Sequence, residues 1–314
     1  MNATEKVRIG TRGSPLALAQ AHEVRARLAA SCPSLAASGA VDVVVIRTTG
    51  DAIQDRPLSE IGGKGLFTRE LDEAMLRGDI DLAVHSMKDV PTVLPDGIDL
   101  PCMLEREDPR DAFLSLRASC LADLPSGSVV GTASLRRQAQ ILARFPHLRV
   151  QILRGNVQTR MQRLEEGVVD ATLLALAGLR RLGLDNRATS VLDADEMLPA
   201  VAQGAIGITC RASHRAMYDI LQPLSHLPTM IRVSCERSFL QILDGSCRTP
   251  IAGLAELIED GTRLFLRGFV ANPDGSGVRA GVRTGLAEDA IRLGRELAME
   301  LAASPRGTTY GMGG

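Results

Sequence analysis

The sequence predicts an α/β fold of two similar domains with mostly parallel sheets around a cleft, followed by a small α+β C-terminal domain. Two observations predict the repeat. A short strand leads into Gly-Thr at 10–11 and again at 131–132, each time followed by a Ser that opens a helix. A Gly-x-x-Asp stretch at 78–81 recurs at 167–170 and leads into an apolar strand each time. Alternating strands and helices favour parallel sheets.

The elements of the two domains follow the same order. Ser14 and Pro15 suit the N-cap and first turn of a helix, because a Ser hydroxyl accepts from a free backbone N–H and Pro has none to satisfy. Ser134 opens the corresponding helix of the second domain. Strands are predicted at 7–9, 41–46 and 81–84, then at 129–130, 148–153 and 171–176, with further helices at 67–77 and 157–166.

The chain is expected to cross between the domains near 102–111 and to return near 198–207, where 205–210 forms one more strand. We therefore predict a first domain of residues 1–104 and 200–222, and a second of residues 105–199. The third domain, residues 223–314, is predicted to have helices at 231–243 and 287–302, strands at 251–256 and 264–270, and a turn at 259–261.

Composition excludes several classes of protein. The 314 residues are 45% hydrophobic, which excludes a disordered chain, and six scattered Cys exclude a disulfide scaffold. No apolar run approaches the roughly 18 residues of a membrane span. The first ten residues contain no apolar stretch of the signal-peptide kind. We therefore expect a cytoplasmic protein with no membrane attachment. The sequence contains no Cys-x-x-Cys pair, so we also expect no metal site.

Arginine dominates the basic residues. Only three of the 36 basic residues are Lys, which leaves 33 Arg, although base composition of the genome accounts for part of this bias. Arg binds planar carboxylates and phosphates in bidentate fashion. Any single Arg is more readily a surface residue, but the set gathers at strand-end loops and so predicts a polyanionic ligand in the cleft. Nucleic acid is disfavoured by the net charge of −1 and by 3% aromatic residues. The set comprises Arg12, Arg47, Arg136, Arg137, Arg154, Arg160, Arg180 and Arg181, together with Lys88.

Four other side chains are candidates for chemistry, and each has a structural alternative. Asp89 at a strand end could steady a cation or move protons, or simply pair with a nearby Arg. Asp51 after Gly50 is favoured as a turn residue. His85 could act as a base, although a hydrogen-bonded structural His is the commoner outcome. Cys247 lies in a Gly-Ser-Cys-Arg-Thr-Pro loop, where the adjacent Arg favours a thiolate that could anchor a covalent group.

These motifs together resemble the porphobilinogen deaminase (hydroxymethylbilane synthase) family. Each motif alone is weak, but they occur in the family's order over about residues 6 to 250. The matching stretches are GTRGSPLAL at 10–18, TGD at 49–51, GKGLF at 63–67, HSMKDVP at 85–91, GTASLRR at 131–137, LRGN at 153–156, TR at 159–160, QGA at 203–205 and GSC at 245–247. Ala202 and Thr209 depart from the family, in which Gly and Glu are common at those positions.

The resemblance implies a transferase with a covalent dipyrromethane cofactor. The enzymes of this family join four porphobilinogen molecules head to tail on that primer, release ammonia each time, and then hydrolyse off hydroxymethylbilane. The cofactor is attached through a thioether to the Cys that corresponds to Cys247. Because substrate and product carry acetate and propionate groups, the resemblance explains the Arg set. It assigns cofactor binding also to Lys88, Asp89, Ser134, Arg136, Arg137 and Arg154, and substrate binding to Arg12, Ser14, Phe67, Arg154, Arg160 and Arg181.

The family's catalytic carboxylate corresponds to Asp89. Loss of ammonia gives a cationic azafulvene, and condensation places positive charge on pyrrole nitrogens. A fixed carboxylate beside those N–H groups stabilises the developing charge and can relay a proton. The family also places Phe67 against the pyrrole rings, whereas its structural alternative is an ordinary core residue.

The resemblance further implies two periplasmic-binding-protein-like domains of type II, no metal, and a monomer with porphobilinogen as its small-molecule partner. The alternative function is a non-catalytic anion- or solute-binding or sensor module, since such proteins share the twin-domain design. Periplasmic solute-binding proteins need an export signal. Neither a solute-binding protein nor a sensor module needs a reactive Cys in a third domain.

Overall fold

A computed structural model describes residues 6–52, 65–243 and 249–303 of the chain. This part of the chain divides into two compact units. The first comprises residues 6–52, 65–107 and 205–230, and the second comprises residues 108–204, 231–243 and 249–303. The predicted boundaries of the three domains stay a prediction. None of the helices in these ranges combines the length and apolar content that crossing a bilayer requires.

Strands and helices alternate through most of the chain. The strands are β1 (Val7–Thr11), β2 (Val41–Val45), β3 (Leu82–Ser86), β4 (Ile98–Met103), β5 (Asp111–Ser115), β6 (Val129–Gly131), β7 (Arg149–Gln151), β8 (Ala171–Ala175), β9 (Ser190–Val191), β10 (Ile206–Arg211), β11 (Ile251–Ile258), β12 (Arg263–Val270) and β13 (Arg279–Leu286). The helices are α1 (Pro15–Ser31), α2 (Thr49–Ala52), α3 (Arg69–Arg77), α4 (Leu135–Arg144), α5 (Val157–Glu165), α6 (Leu176–Arg181), α7 (Arg215–Leu221), α8 (Leu227–Leu243) and α9 (Ala290–Ala303).

The first unit contains a five-stranded sheet of order β2-β1-β3-β10-β4. Strands β2, β1 and β3 are parallel, whereas β10 runs antiparallel to both of its neighbours. Side chains on both faces of β3 are buried, because Leu82 and Val84 pack with α1 on one face and Ala83 packs with α3 on the other. Covering both faces with helices leaves the ends of the strands as the place for polar side chains.

The second unit contains a sheet of matching design, with the order β7-β6-β8-β5-β9. Its first three strands are parallel and β5 is antiparallel to β8. Phe113 of β5 packs in one apolar cluster, and its neighbours Ala112 and Leu114 pack in another on the opposite face. Two such mixed sheets, with a three-stranded antiparallel sheet after them, confirm the predicted fold class.

The Asp of the repeated Gly-x-x-Asp stretch makes the same kind of hydrogen bond in each unit. The Oδ2 atom of Asp81 accepts a hydrogen bond of 2.8 Å from the backbone N–H of Arg8. In the second unit, Oδ2 of Asp170 accepts one of 2.8 Å from the N–H of Val129. The Asp81 carboxylate therefore joins the start of β3 to β1, and the Asp170 carboxylate joins the start of β8 to the start of β6. The Gly of each stretch has a positive φ, which lets the chain leave the preceding helix and enter the strand.

The C-terminal sheet consists of β11, β12 and β13 in an antiparallel meander, with α9 packed on it. The buried Glu236 of α8 accepts a hydrogen bond of 2.6 Å from the N–H of Ala202 and one of 2.9 Å from the N–H of Ala255. One carboxylate therefore binds the segment that precedes β10 to the first strand of this sheet. Charge-assisted bonds of this kind are stronger than neutral ones.

The sequence located most of these elements to within a few residues, and Ser14 and Ser134 are the N-caps of α1 and α4 as predicted. Among the strands it missed β4, β5, β9 and β13, and among the helices it missed α2, α6 and α7. The strands β5 and β4 adjoin the predicted crossover near 102–111, and their pairing partners β8 and β10 lie far along the chain. Local sequence patterns carry no record of such distant pairing.

Ala202 adopts a left-handed backbone conformation with φ of 61°. An L-residue with a Cβ is strained there by roughly 1–2 kcal/mol. Gly is common at this position in the family that the motifs resemble, and Gly would not have this strain. Ala202 is also 1% exposed, which means that its methyl group contributes packing in return.

We expect Ala202→Gly to change the free energy of unfolding by less than about 0.5 kcal/mol. Relief of strain offsets a lost methyl group of about 0.8 kcal/mol and the extra flexibility of Gly in the unfolded chain. As a control, Ala139→Gly removes a fully buried methyl group from α4, where no strain is relieved, and should cost about 1–2 kcal/mol. Urea unfolding of both variants measures the difference. Equal losses would contradict the assigned strain.

Candidate active site

In the first unit, the candidate residues follow the carboxyl ends of β1 and β3. Arg12 comes directly after β1, and Ser14 caps α1 by accepting a 3.3 Å hydrogen bond from the N–H of Ala17. Lys88 and Asp89 belong to a short 3-10 turn that follows β3. Because β1 and β3 are parallel neighbours, the sheet brings these two loops together.

Arg12 is the centre of this cluster. Its Nε donates to Oδ2 of Asp51 at 3.0 Å, and its Nη2 donates to the other oxygen of Asp51. Its Nη1 donates to Oδ2 of Asp89 at 3.3 Å. The guanidinium also lies over the ring of Phe67, with its central carbon 4.0 Å from the ring centroid. One cation therefore holds two carboxylates and an aromatic ring in one place.

Asp51 does more than the turn role that the sequence favours. Its Oδ2 also accepts a 2.7 Å hydrogen bond from Oγ1 of Thr48. Burial raises the pKa of the Asp51 carboxyl, but the hydrogen bonds from Arg12 and Thr48 outweigh burial and hold that pKa below its usual value. The carboxylate is therefore ionised at neutral pH and remains a partner for Arg12.

The neighbouring Gly50 makes room for Phe67. A Cβ atom at Gly50 would lie 2.4 Å from Cε1 of that ring, so any larger residue would push the ring away from Arg12. Phe67 itself is half-buried, and its ring lies against the Arg12 guanidinium. Its placement against the pyrrole rings stays a prediction.

The end of β3 is held by side chains on both sides of the sheet. Nε2 of His85 lies 2.9 Å from Oγ1 of Thr209 on β10, and Oγ of Ser86 is hydrogen-bonded to the side chain of Gln20 on α1. Burial, helped by the positive charge of Arg12, lowers the pKa of His85 to about 4. His85 is therefore neutral at physiological pH and 5% exposed, which supports the structural alternative.

In the second unit, Arg136 and Arg137 converge on one carboxylate, Asp111 at the start of β5. Nε and Nη2 of Arg137 lie 3.2 and 2.8 Å from its two oxygens, and Nη1 of Arg136 lies 2.8 Å from Oδ2. The amide of Gln203 donates to Oδ1 at 2.8 Å. The two Arg side chains are about 5% exposed and Asp111 is fully buried. For this pair, the alternative of ordinary surface Arg is wrong.

The charges of this buried group do not balance, since two guanidiniums share one carboxylate. Burial raises the pKa of Asp111, but the charges of Arg136 and Arg137 dominate and hold it well below its usual range. Burial lowers the pKa of Arg136, which nevertheless stays charged. Arg136 Nε is buried and has no hydrogen-bond partner among the described residues. The group formed by Arg136, Arg137 and Asp111 therefore carries one net positive charge.

The other predicted residues of this unit lie at the ends of strands and helices. Ser134 accepts a 3.4 Å hydrogen bond from the N–H of Arg137 as the N-cap of α4. Nε of Arg160 donates to the carbonyl of Gly155 at 2.8 Å, and Nη2 of Arg181 donates to the carbonyl of Gly204 at 2.9 Å. Arg154 is half-buried in the loop between β7 and α5. These contacts fix Arg160 and Arg181 against nearby backbone.

Three further candidates complete the set. Lys88 is exposed. Arg47 is also exposed. Arg180 is exposed as well and lies 3.8 Å from Asp108. Both therefore fit the alternative that they are surface residues. Cys247 lies outside the described residues, as do Lys64 and the tail from residue 304 onwards. Among the described residues, no three His, Cys, Asp or Glu side chains are grouped in a way that could hold a metal ion.

Sequence reasoning missed two residues that organise the site. In the sequence, Asp111 marks only the end of a predicted crossover, and its neighbours give no sign that it is fully buried between two Arg residues. Thr209 stands out in the sequence only as a departure from the family that the motifs resemble. The sequence did mark Asp51 as a candidate, because its TGD motif follows a strand as the other motifs do. It could not identify Arg12 as the partner, since the two residues are 39 positions apart in sequence.

Comparison with known proteins identifies the family. The family model described as "Porphobilinogen deaminase, dipyromethane cofactor binding domain" matches residues 7–219, and "Porphobilinogen deaminase, C-terminal domain" matches residues 230–303. The chain is 60% identical over 303 residues to a chloroplastic porphobilinogen deaminase of Pisum sativum, covering 96% of this chain and 82% of that protein. It is 56% identical over 295 residues to the porphobilinogen deaminase of Paracoccus denitrificans, covering 94% and 93%.

Two solved structures resemble part of the chain at low sequence identity. The methionine-binding protein MetQ has a TM-score of 0.43 at 14% identity, over 70% of this chain and 88% of that chain. A periplasmic substrate-binding protein of an ABC transporter from Coxiella burnetii has a TM-score of 0.44 at 14% identity, over 71% and 94%. These similarities concern the fold alone.

We expect Asp111→Asn to lower the free energy of unfolding by about 3–5 kcal/mol at neutral pH, because it leaves two buried guanidiniums without a counterion. The folded-state pKa of Asp111 is depressed, so its contribution is present above pH about 4 and is lost as the pH falls further. Urea unfolding of wild type and variant from pH 7 to pH 3 should show a difference that is constant at first and then shrinks.

The control for this experiment is Glu165→Gln, which removes the partner of Arg187 from a pair whose two side chains are both about half exposed. Exposed ion pairs contribute little, so this variant should unfold almost as the wild type does. A stability loss in Asp111→Asn that matched the control would contradict the role given to the buried group.

Proposed function

This chain belongs to the porphobilinogen deaminase family, and we propose that it carries out the reaction of that family. It condenses four porphobilinogen molecules head to tail, releases one ammonia with each, and hydrolyses off hydroxymethylbilane. It is a transferase of tetrapyrrole biosynthesis. The alternative of a non-catalytic anion-binding or sensor module is disfavoured by family membership over both matched regions.

The observation that carries the proposal is the cluster of Arg12, Asp89 and Phe67 at the ends of β1 and β3. It offers a cation for a substrate carboxylate, a carboxylate for a pyrrole N–H, and an aromatic ring for a flat heterocycle. Porphobilinogen carries all three complementary groups. A general anion-binding site needs the cation alone.

Asp89 is the proposed catalytic residue. As ammonia leaves, positive charge develops on the pyrrole nitrogen, and a carboxylate beside that N–H stabilises the charge. Asp89 can then take up the ring proton that is released when the new carbon–carbon bond has formed. The hydrogen bond of 3.3 Å from Nη1 of Arg12 gives this carboxylate a fixed partner.

Arg12, Ser14, Phe67, Arg154, Arg160 and Arg181 are the proposed substrate-binding residues. Arg12 needs rearrangement for this role, because Asp51 occupies the Nε and Nη2 edge of its guanidinium. A substrate carboxylate would have to replace Asp51 there or bind at the Nη1 end beside Asp89. Such an exchange lets the charge of Arg12 stay balanced when the site contains no substrate.

The residues of the second unit fit a cofactor that carries several carboxylates. Two guanidiniums share one carboxylate there, and the α4 N-terminus with Ser134 adds backbone N–H groups. We propose that Ser134, Arg136, Arg137 and Arg154 hold the dipyrromethane together with Lys88 and Asp89, and that Cys247 anchors it as a thioether. When bound, the dipyrromethane supplies the primer whose terminal pyrrole carbon receives the first unit.

We further propose that the enzyme acts as a cytoplasmic monomer on a small-molecule substrate, without nucleic acid or a membrane as partner. The net charge of −1 supports the absence of a nucleic-acid partner. The chloroplastic relatives of plants act in an organelle, as their names state.

Intact-mass measurement tests the family, the cofactor and its anchor together. We expect the wild-type chain to carry extra mass equal to one dipyrromethane, and Cys247→Ser to lack it, because only a thiolate at that position forms the thioether. Cys120→Ser changes a half-exposed Cys elsewhere and should keep the extra mass. An unmodified and inactive wild-type chain would count against the proposal.

Asp89→Asn tests the catalytic assignment. The amide keeps the shape of the carboxylate but cannot balance a pyrrolic cation, so we expect turnover of porphobilinogen to fall by at least about a hundredfold. Intact mass should still register the cofactor when it is supplied. Asp96→Asn, an exposed carboxylate of the same unit, is the control and should turn over normally. Near-wild-type turnover in Asp89→Asn would remove this residue from the mechanism.

A further inference from the structure

We propose that Gly207 of β10 is a positioning residue for Asp89 and that it acts through Met87. The space left by the missing side chain of Gly207 accepts the side chain of Met87, and this contact sets where the turn with Asp89 lies. The inference rests on the proposed catalytic role of Asp89.

The contact is close. A Cβ atom at Gly207 would lie 2.1 Å from Sδ of Met87, 3.0 Å from its Cγ and 3.0 Å from Cδ1 of Leu100. Gly207 has no positive φ, so the position needs Gly for space and not for backbone conformation. Met87 is 1% exposed. Its thioether is therefore enclosed against the strand, with Leu100 crowding the same position.

The backbone of Met87 is bound to the residue that directly precedes β10. Its N–H donates to the carbonyl of Ala205 at 3.0 Å, and its carbonyl accepts from the N–H of Val90 at 3.2 Å, which closes the turn around Asp89. Val90 is also buried, at 6% exposure. The side chain and the main chain of Met87 thus contact residues 205–207, at the start of β10.

Asp89 has little else to fix it. Among the described residues, its carboxylate has one ion-pair partner, Arg12, at the long distance of 3.3 Å. Its position is therefore set mainly by the turn between two buried residues, Met87 and Val90. A displacement of about 1 Å in a catalytic group can cost about a hundredfold in rate. A displacement of Met87 should therefore also displace the carboxylate of Asp89, two residues further along the chain.

The test is Gly207→Ala in the cofactor-loaded enzyme. We expect kcat to fall at least tenfold, with little change in KM, and with the fold and the cofactor mass retained. Adding Met87→Val removes about the volume that the Ala adds, so the double variant should recover most of the lost kcat. Recovery of kcat at constant cofactor loading is a result that a purely structural role would not produce.

A matched control is Gly268→Ala on β12, where a new Cβ would lie 2.7 Å from Cζ of Phe239. This variant has the same kind of clash far from Asp89 along the chain, and it should lose stability but keep kcat. If Gly207→Ala does not fold, Met87→Ala replaces it, and loss of the anchoring side chain should lower kcat in the same way.

The outcomes separate this inference from the proposed function. If Gly207→Ala, or Met87→Ala in its place, keeps full kcat while Asp89→Asn is inactive, then Met87 adapts by rotating and the positioning role is wrong. If the double variant stays as slow as Gly207→Ala, the contact does not act through Met87 and the inference also fails. If the wild type does not consume porphobilinogen, it is the proposed function that fails.

Discussion

The pairing of guanidinium with carboxylate at the ends of strands is the interaction on which the polar cluster of each unit depends. In the first unit, Arg12 joins Asp51 and Asp89, and in the second, Arg136 and Arg137 join Asp111. Moving a charged side chain out of water costs several kcal/mol, and a partner of opposite charge offsets part of that cost. The carboxylates therefore do not cancel the function of the arginines. They stabilise the guanidinium groups in fixed orientations at positions with little access to water.

The two units reach this result with the same scaffold but different residues. In both, the Asp of a Gly-x-x-Asp stretch ties the first strand to the third, and a Ser caps the helix after the first strand. The chemistry at the strand ends then diverges. The first unit presents an acid beside one cation, which suits charge stabilisation on a pyrrole, whereas the second holds an excess of positive charge, which suits a polycarboxylate.

The motif at 85–91 illustrates how a strand end is divided between support and chemistry. His85, Ser86 and Met87 are each bound to a neighbouring element, namely Thr209, Gln20 and the stretch of β10 around Gly207. Lys88 and Asp89 then extend beyond the buried strand. Three consecutive side chains with fixed partners give the following carboxylate a defined place, although it has few contacts of its own.

The sequence by itself determined the features that local patterns encode: the repeated βα order, the Ser14 and Ser134 caps, and the strand-end positions of Arg12 and Asp89. Only the tertiary structure decided which side chains meet. Arg12 and Asp51 are 39 residues apart, and His85 and Thr209 are 124 apart. Asp111 meets Arg137 across 26 residues, and nothing in its surroundings in sequence marks it as buried. These pairs depend on sheet order, strand register and burial. Such properties arise when distant segments pack, so no window of sequence contains them.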